Sequence, residues 1–275
     1  MDFESLIKKK DVKSEQLPET EAVVVKEGTI TLPEIIELEE PIKNIIEQIR
    51  VRIENGEYGL IISDDVSGRI PALILGGFIK RISELKKVCN PNLLFIPGNL
   101  DSSQYIPMRQ TLIEYLEKHG IKKGERILII TEVLHSGVSL KVLTRLLKEF
   151  NFGVDIATMG IDVRKGVLGN LEREKNLRDV EIVSGDYMRE NSTQVSYVPL
   201  IYKRKERTGV YKNPGELVSK PLRSKYKDNV FGTALEKRAK NQKKINNSRA
   251  EVKILVEKLV KWYLSQEEEK KLKVE

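Results

Sequence analysis

A carboxylate, Glu132, follows the apolar run Ile127-Leu-Ile-Ile-Thr131, and Ser136, Gly137 and Ser139 come shortly after it. Leu134, His135, Ser136, Gly137, Val138 and Ser139 read as a tight polar turn entering the N-terminus of a helix. Backbone N–H groups of such a turn converge on one point, and the helix dipole favours an anion there. Glu132 stands where sugar hydroxyls can donate to it. His135, if protonated, would add positive charge towards that anion. A phosphate cradle beside a carboxylate suits a ribose-phosphate ligand.

Ser67, Gly68 and Arg69 form a second constellation of the same kind. They follow the strand-like Tyr58–Ser63 and precede Pro71, which the pattern places in the first turn of the next helix. Glycine permits close backbone approach there, and arginine offers a planar anion contact. Asp64 and Asp65 either hold Mg²⁺ or serve the turn, Asp64 as its cap and Asp65 on loop amides. Arg109 is either a phosphate contact or a solvated helix arginine. His119, beside Gly120, reads as a cation at a helix C-terminus.

These groups need a scaffold, and the chain supplies alternating strands and helices. The spacing predicts short strands at Ala22–Val25 and Thr29–Leu32, then a helix from Pro33 to Glu54 kinked or divided at Pro41. Strands follow at Tyr58–Ser63, Leu93–Ile96, Arg126–Thr131, Val154–Ile161, Val180–Ser184 and Val195–Ile201. Helices are expected at Ile70–Val88, Pro107–His119 and Val138–Phe150. This order implies an α/β fold with a mostly parallel sheet flanked by helices. Ligands of such sheets bind at the C-terminal ends of strands. Residues 1–20 read as a polar arm, 21–202 as the α/β domain, and 203–275 as a basic extension. The extension is irregular to about residue 248, and an amphipathic helix starts at Arg249 with Val252, Leu255, Val256, Leu259, Val260 and Tyr263 as its stripe.

Residues 203–275 hold 21 Lys and Arg against 10 Asp and Glu, a net of +11; the first 202 hold 27 against 31, a net of −4. The basic excess therefore lies entirely in the extension. One cysteine, Cys89, excludes an internal disulfide and suits a reducing cytoplasm. Two histidines and one thiol exclude a dense His/Cys metal site. No apolar run is long enough for a membrane helix, and the N-terminus lacks a signal-peptide pattern.

The segment Ile127–Ser139 resembles the signature of type I phosphoribosyltransferases: a hydrophobic strand, two acids, two variable residues, then Thr/Ser-Gly-x-Thr. It departs from the signature at Thr131, where the family carries its first acid. The family's earlier loop, often Arg-Gly-Gly followed by x-Pro, is matched by Ser67-Gly68-Arg69 followed by Ile70-Pro71, with the arginine displaced by two positions. The resemblance implies a phosphoribosyltransferase-like fold that moves 5-phosphoribosyl from phosphoribosyl pyrophosphate to a nitrogenous base. Glu132 and Thr131 would hold the ribose, and Leu134 to Ser139 its 5-phosphate. Ser67 to Arg69 would stabilise the leaving pyrophosphate with Mg²⁺, to which Asp65 contributes. Catalysis would rest on positioning and electrostatics.

Asp162 falls where purine-salvage members carry a lysine that donates to the base. A carboxylate there would prefer an amino group, or would pair with Arg164 or Lys165. The implied partners are phosphoribosyl pyrophosphate or a nucleotide monophosphate, and a second copy of the chain. A flap of the family's usual length is missing, since residues 97–107 are short. Together with Thr131 and the displaced arginine, this supports a second reading, a non-catalytic nucleotide sensor or regulator. Its 203–275 segment would then bind nucleic acid through backbone electrostatics.

Overall fold

The computed structural model describes residues 28–96, 105–122, 124–134, 137–161, 180–185, 208, 210–211, 217, 220–221 and 233–272. Five parallel strands form its sheet: β1 (Tyr58–Asp64), β2 (Asn92–Ile96), β3 (Arg126–Leu134), β4 (Gly153–Ile161) and β5 (Glu181–Ser184), in the order β2-β1-β3-β4-β5. Strands such as Leu60-Ile-Ile and Ile127-Leu-Ile-Ile are apolar on both faces because helices cover both. Three short helices precede the sheet, α1 (Pro33–Ile36), α2 (Glu39–Gln48) and α3 (Arg50–Glu54). Between strands run α4 (Asp65–Lys86), α5 (Tyr105–Lys118) and α6 (Val138–Glu149). A two-stranded antiparallel ribbon, β6 (Val210–Tyr211) and β7 (Lys220–Pro221), precedes the C-terminal helix α7 (Thr233–Leu272).

The helix that covers each crossover changes face where the strand order reverses. Residues of α4 join Ile61, Leu128 and Ile130 in one core, while α5 and α6 join Leu60, Ile62, Ile127 and Ile129 in the other. The chain steps from β1 to β2 beneath α4, then returns past β1 to β3 beneath α5. Right-handed crossovers require this exchange of faces, so a topological switch point lies between β1 and β3.

α7 completes the first core, with Leu255, Leu259 and Tyr263 wholly buried. It runs alongside α4 in the same direction: Gly77 faces Val256, and Lys86 reaches Glu267 at 2.6 Å. A Cβ on Gly77 would lie 3.1 Å from a Val256 methyl, so glycine sets the spacing of the two helices. The apolar stripe read from Arg249 onward therefore docks on the α/β domain. Among the described residues, no helix is long and apolar enough to cross a membrane.

Several boundaries differ from those the sequence predicts. α4 starts at Asp65, so 65–69 form a helical turn and not a loop, and Pro71 falls in the second turn. The Pro33–Glu54 helix divides after Ile36 and at Ile49, while Pro41 sits in the first turn of α2, where a missing N–H costs least. Thr29–Leu32 is not a strand. Its Thr31 and Leu32 amides donate to the Glu251 carboxylate of α7 at 3.1 and 2.8 Å, replacing ladder partners with a charged acceptor. α7 begins at Thr233, well before the apolar stripe, in a stretch expected to be irregular. The strands expected at Ala22–Val25 and Val195–Ile201 lie outside the described residues.

The N-terminal ends of the strands enclose a charge network. Asp155 of β4 is 1% exposed and accepts from Arg52 at 2.8 Å, Arg126 at 2.9 Å and the Tyr58 hydroxyl at 3.0 Å. Arg52 also pairs with Glu181 on β5. Burial, then the neighbouring Asp155 charge, pushes the Tyr58 phenol far above its ordinary range, so it stays a donor.

Candidate functional site

The C-terminal ends of β1 and β3 meet at the switch point. Asp64 is the last residue of β1, and Thr131 lies opposite the end of that strand on β3. The Thr131 hydroxyl donates to Asp64 Oδ2 at 3.3 Å, with both residues buried. The threonine that replaces the signature's first acid thus carries a carboxylate from the adjacent strand. Asp64 is also the N-cap residue of α4.

Gly68 brings the two sequence constellations together. A Cβ at this position would lie 2.4 Å from the Ile130 carbonyl oxygen and 3.2 Å from Thr131 Cα. Only glycine lets the first turn of α4 rest directly on the β3 backbone. The amino-terminal end of α4, with its positive dipole end, is thereby held against Ile130 and Thr131.

Glu132 lies inside β3 and is wholly buried, because the strand runs to Leu134 and not to Thr131. The apolar alternation slips there: Leu128, Ile130 and Val133 all pack on the α4 side, while Leu134 joins Ile127 and Ile129 on the other. Thr158 on β4 braces this backbone, donating to the Gly160 carbonyl at 2.8 Å and lying 3.5 Å from the Glu132 carbonyl. Gly137 adopts φ 71° just before α6, a left-handed conformation that favours glycine. Val138 and Ser139 open α6, whose first N–H groups point back along the helix axis beyond Gly137. Leu134 is the last residue of β3, and three residues separate it from Val138, which opens α6.

The other candidates divide. Asp65 and Ser67 lie in the first turn of α4 beside Gly68. Arg69 turns away from β3: its guanidinium stacks 3.9 Å over the Phe95 ring of β2. Adjacent helical positions diverge by about 100°, which separates Arg69 from the Gly68 contact. Arg109 lies 3.6 Å from Glu149 and over Phe150, matching its reading as an ordinary helix arginine. His119 caps its own helix through Nδ1, 2.7 Å from the Tyr115 carbonyl. His135, Ser136 and Asp162 lie outside the described residues.

Among the described residues no group of three His, Cys, Asp or Glu side chains is placed to hold a metal ion. Mg²⁺ here would need ligand oxygens beside Asp64, which is how this ion is commonly held. The role of Asp64 was hidden because its partner lies 67 residues away; a consecutive Asp-Asp pair before a helix reads equally well as turn chemistry.

No protein-family model matches the sequence, and no curated protein matches it. One solved structure that does match is the hypoxanthine-guanine phosphoribosyltransferase from Schistosoma mansoni in complex with IMP, at 14% identity and a TM-score of 0.32. The match covers 57% of this chain and 66% of that one, so the chain spans just under two thirds of its length.

Proposed function

We propose that the switch point between β1 and β3 binds a ribose 5-phosphate group, and that the protein transfers 5-phosphoribosyl from phosphoribosyl pyrophosphate to a nitrogenous base. The observation that carries this reading is the contact of Gly68 with Ile130 and Thr131, which assembles the two resembling segments at one place. Glu132 and the Asp64–Thr131 pair supply acceptors for ribose hydroxyls as positive charge develops at the anomeric carbon. Gly137 and the start of α6 receive the 5-phosphate. The first turn of α4, with Asp65, Ser67 and Gly68, faces the leaving pyrophosphate. Mg²⁺, when bound through Asp64 or Asp65, would neutralise charge on that group. In the transfer the bond from the anomeric carbon to pyrophosphate breaks with its electrons on oxygen. A bond to the base nitrogen forms, and that nitrogen loses its proton.

Thr131 in place of an acid favours a second reading, a non-catalytic sensor or regulator that binds the same ribose-phosphate group. Incubation with phosphoribosyl pyrophosphate, Mg²⁺ and a panel of purine and pyrimidine bases separates the two. Pyrophosphate release with at least one base, reduced about 100-fold or more in Glu132→Gln, is the expected result. No release with any base, alongside retained ligand binding, would leave the sensor.

A further inference from the structure

A cavity of about 680 Å³ lies between α4, β2 and α7. Its size falls within the range of about 300–1,000 Å³ typical of small-molecule sites. One wall is aliphatic, built by Ile70 and Leu73 of α4 and by Val252 and Val256 of α7. Phe95 adds an aromatic surface already covered on one side by the Arg69 guanidinium. Gly77 holds the two helices at their fixed separation lower down.

The rim is ordered by charge. Arg249, Lys253 and Glu257 succeed one another at four-residue intervals on α7, all three exposed and all three lining the cavity. Two cations thus precede a carboxylate that lies about 12 Å beyond Arg249 and about 6 Å beyond Lys253 along the helix axis. Arg69 contributes a third positive charge across from them. An anionic head would be held at the Arg249–Lys253 end, a hydrocarbon body would lie against Leu73, Val252 and Val256, and Glu257 would repel a second anion at the far end.

We infer that this cavity binds an amphipathic monoanion, an aryl or alkyl chain carrying a single anionic head. Nothing in the ribose-phosphate reading requires it. The two sites are tested by different ligands and different residues.

Titration of the full chain with 1-anilinonaphthalene-8-sulfonate, followed by its fluorescence, reads the cavity directly. One saturable site is expected. Decanoate should displace the probe, while decanamide and decanedioate should each compete at least about tenfold more weakly. The double variant R249E/K253E, confined to exposed positions, should weaken probe binding by about tenfold or more. V256F, which fills the cavity, should abolish it in protein whose circular dichroism is unchanged. E132Q should leave it unaltered. Absence of saturable binding overturns the proposal, and so does equal affinity for decanoate and decanamide. Insensitivity to R249E/K253E overturns it even if V256F fails to fold.

Discussion

At the N-terminal ends of the strands, Asp155 is surrounded by two guanidinium groups and a phenol, each within hydrogen-bonding distance. At the C-terminal ends, Asp64 and Glu132 are buried to a similar degree, and the Thr131 hydroxyl of the neighbouring strand donates to Asp64 beside the glycine contact of α4 with β3. The lower network closes on itself across β1, β3, β4 and β5, so its charges spend their energy on strand register. The upper acids stand where ligands of parallel sheets bind, beside two helix N-termini. Burial of a carboxylate is therefore not informative alone. What surrounds it, and at which end of the sheet it lies, decides between structure and function.

The largest expected effect belongs to the lower end. Asp155→Ala leaves Arg52, Arg126 and Tyr58 without their shared acceptor and should destabilise the fold by about 3 kcal/mol. Chemical denaturation would show this, with ribose-phosphate binding retained in the folded fraction. A stability loss under about 1 kcal/mol would mean that the network does not hold the sheet.

Gly68→Ala comes next and probes the upper end. A methyl group against the Ile130 carbonyl must shift α4 or β3, at a cost of about 1–3 kcal/mol. Binding of phosphoribosyl pyrophosphate should fall at least about tenfold, because the two constellations move apart. Unchanged calorimetric affinity in this variant would separate Gly68 from the site.

Acid should loosen the docking of α7 with a smaller effect. Burial alone would raise the Glu54 carboxyl, but the Tyr263 hydroxyl, Arg50 and Lys86 hold it below its ordinary value of 4.5. For Glu39, burial again opposes, and Lys258 with Lys43 prevails. Carboxyls depressed in the folded state stabilise above their unfolded values, and that stability is lost as pH falls through the folded ones. Docking of α7 should therefore hold above about pH 4.5 and weaken below it. Trp262 is the only tryptophan and lies on α7 with the Lys43 ammonium 5.5 Å from its ring, so its fluorescence reports undocking. A transition centred near neutrality would exclude these carboxyls as its cause.

Much of this arrangement was legible in the sequence, for reasons that particular residues show. Near-continuous short runs rich in β-branched residues, such as Leu60-Ile-Ile and Ile127–Ile130, read as strands covered on both faces, and the helices between them follow. The stripe from Val252 to Tyr263 declared a docking helix. The polar N-terminal half of α7 carries no stripe, so its helix was invisible to pattern. Gly68 was read as a glycine for close backbone approach within a loop, and the backbone it meets is that of β3, approached from a helical turn. Thr29–Leu32 has a strand-like sequence but satisfies its amides on Glu251. The pairing of Asp64 with Thr131 depends on strand order, which no local pattern encodes.

The most direct test of a ribose-phosphate site at the switch point is calorimetric titration of the full chain with phosphoribosyl pyrophosphate and Mg²⁺. The wild-type protein should bind, and Glu132→Gln, with an unchanged thermal midpoint, should bind about ten- to a hundredfold more weakly. Equal affinity in the two proteins, or no binding in either, would contradict the assignment.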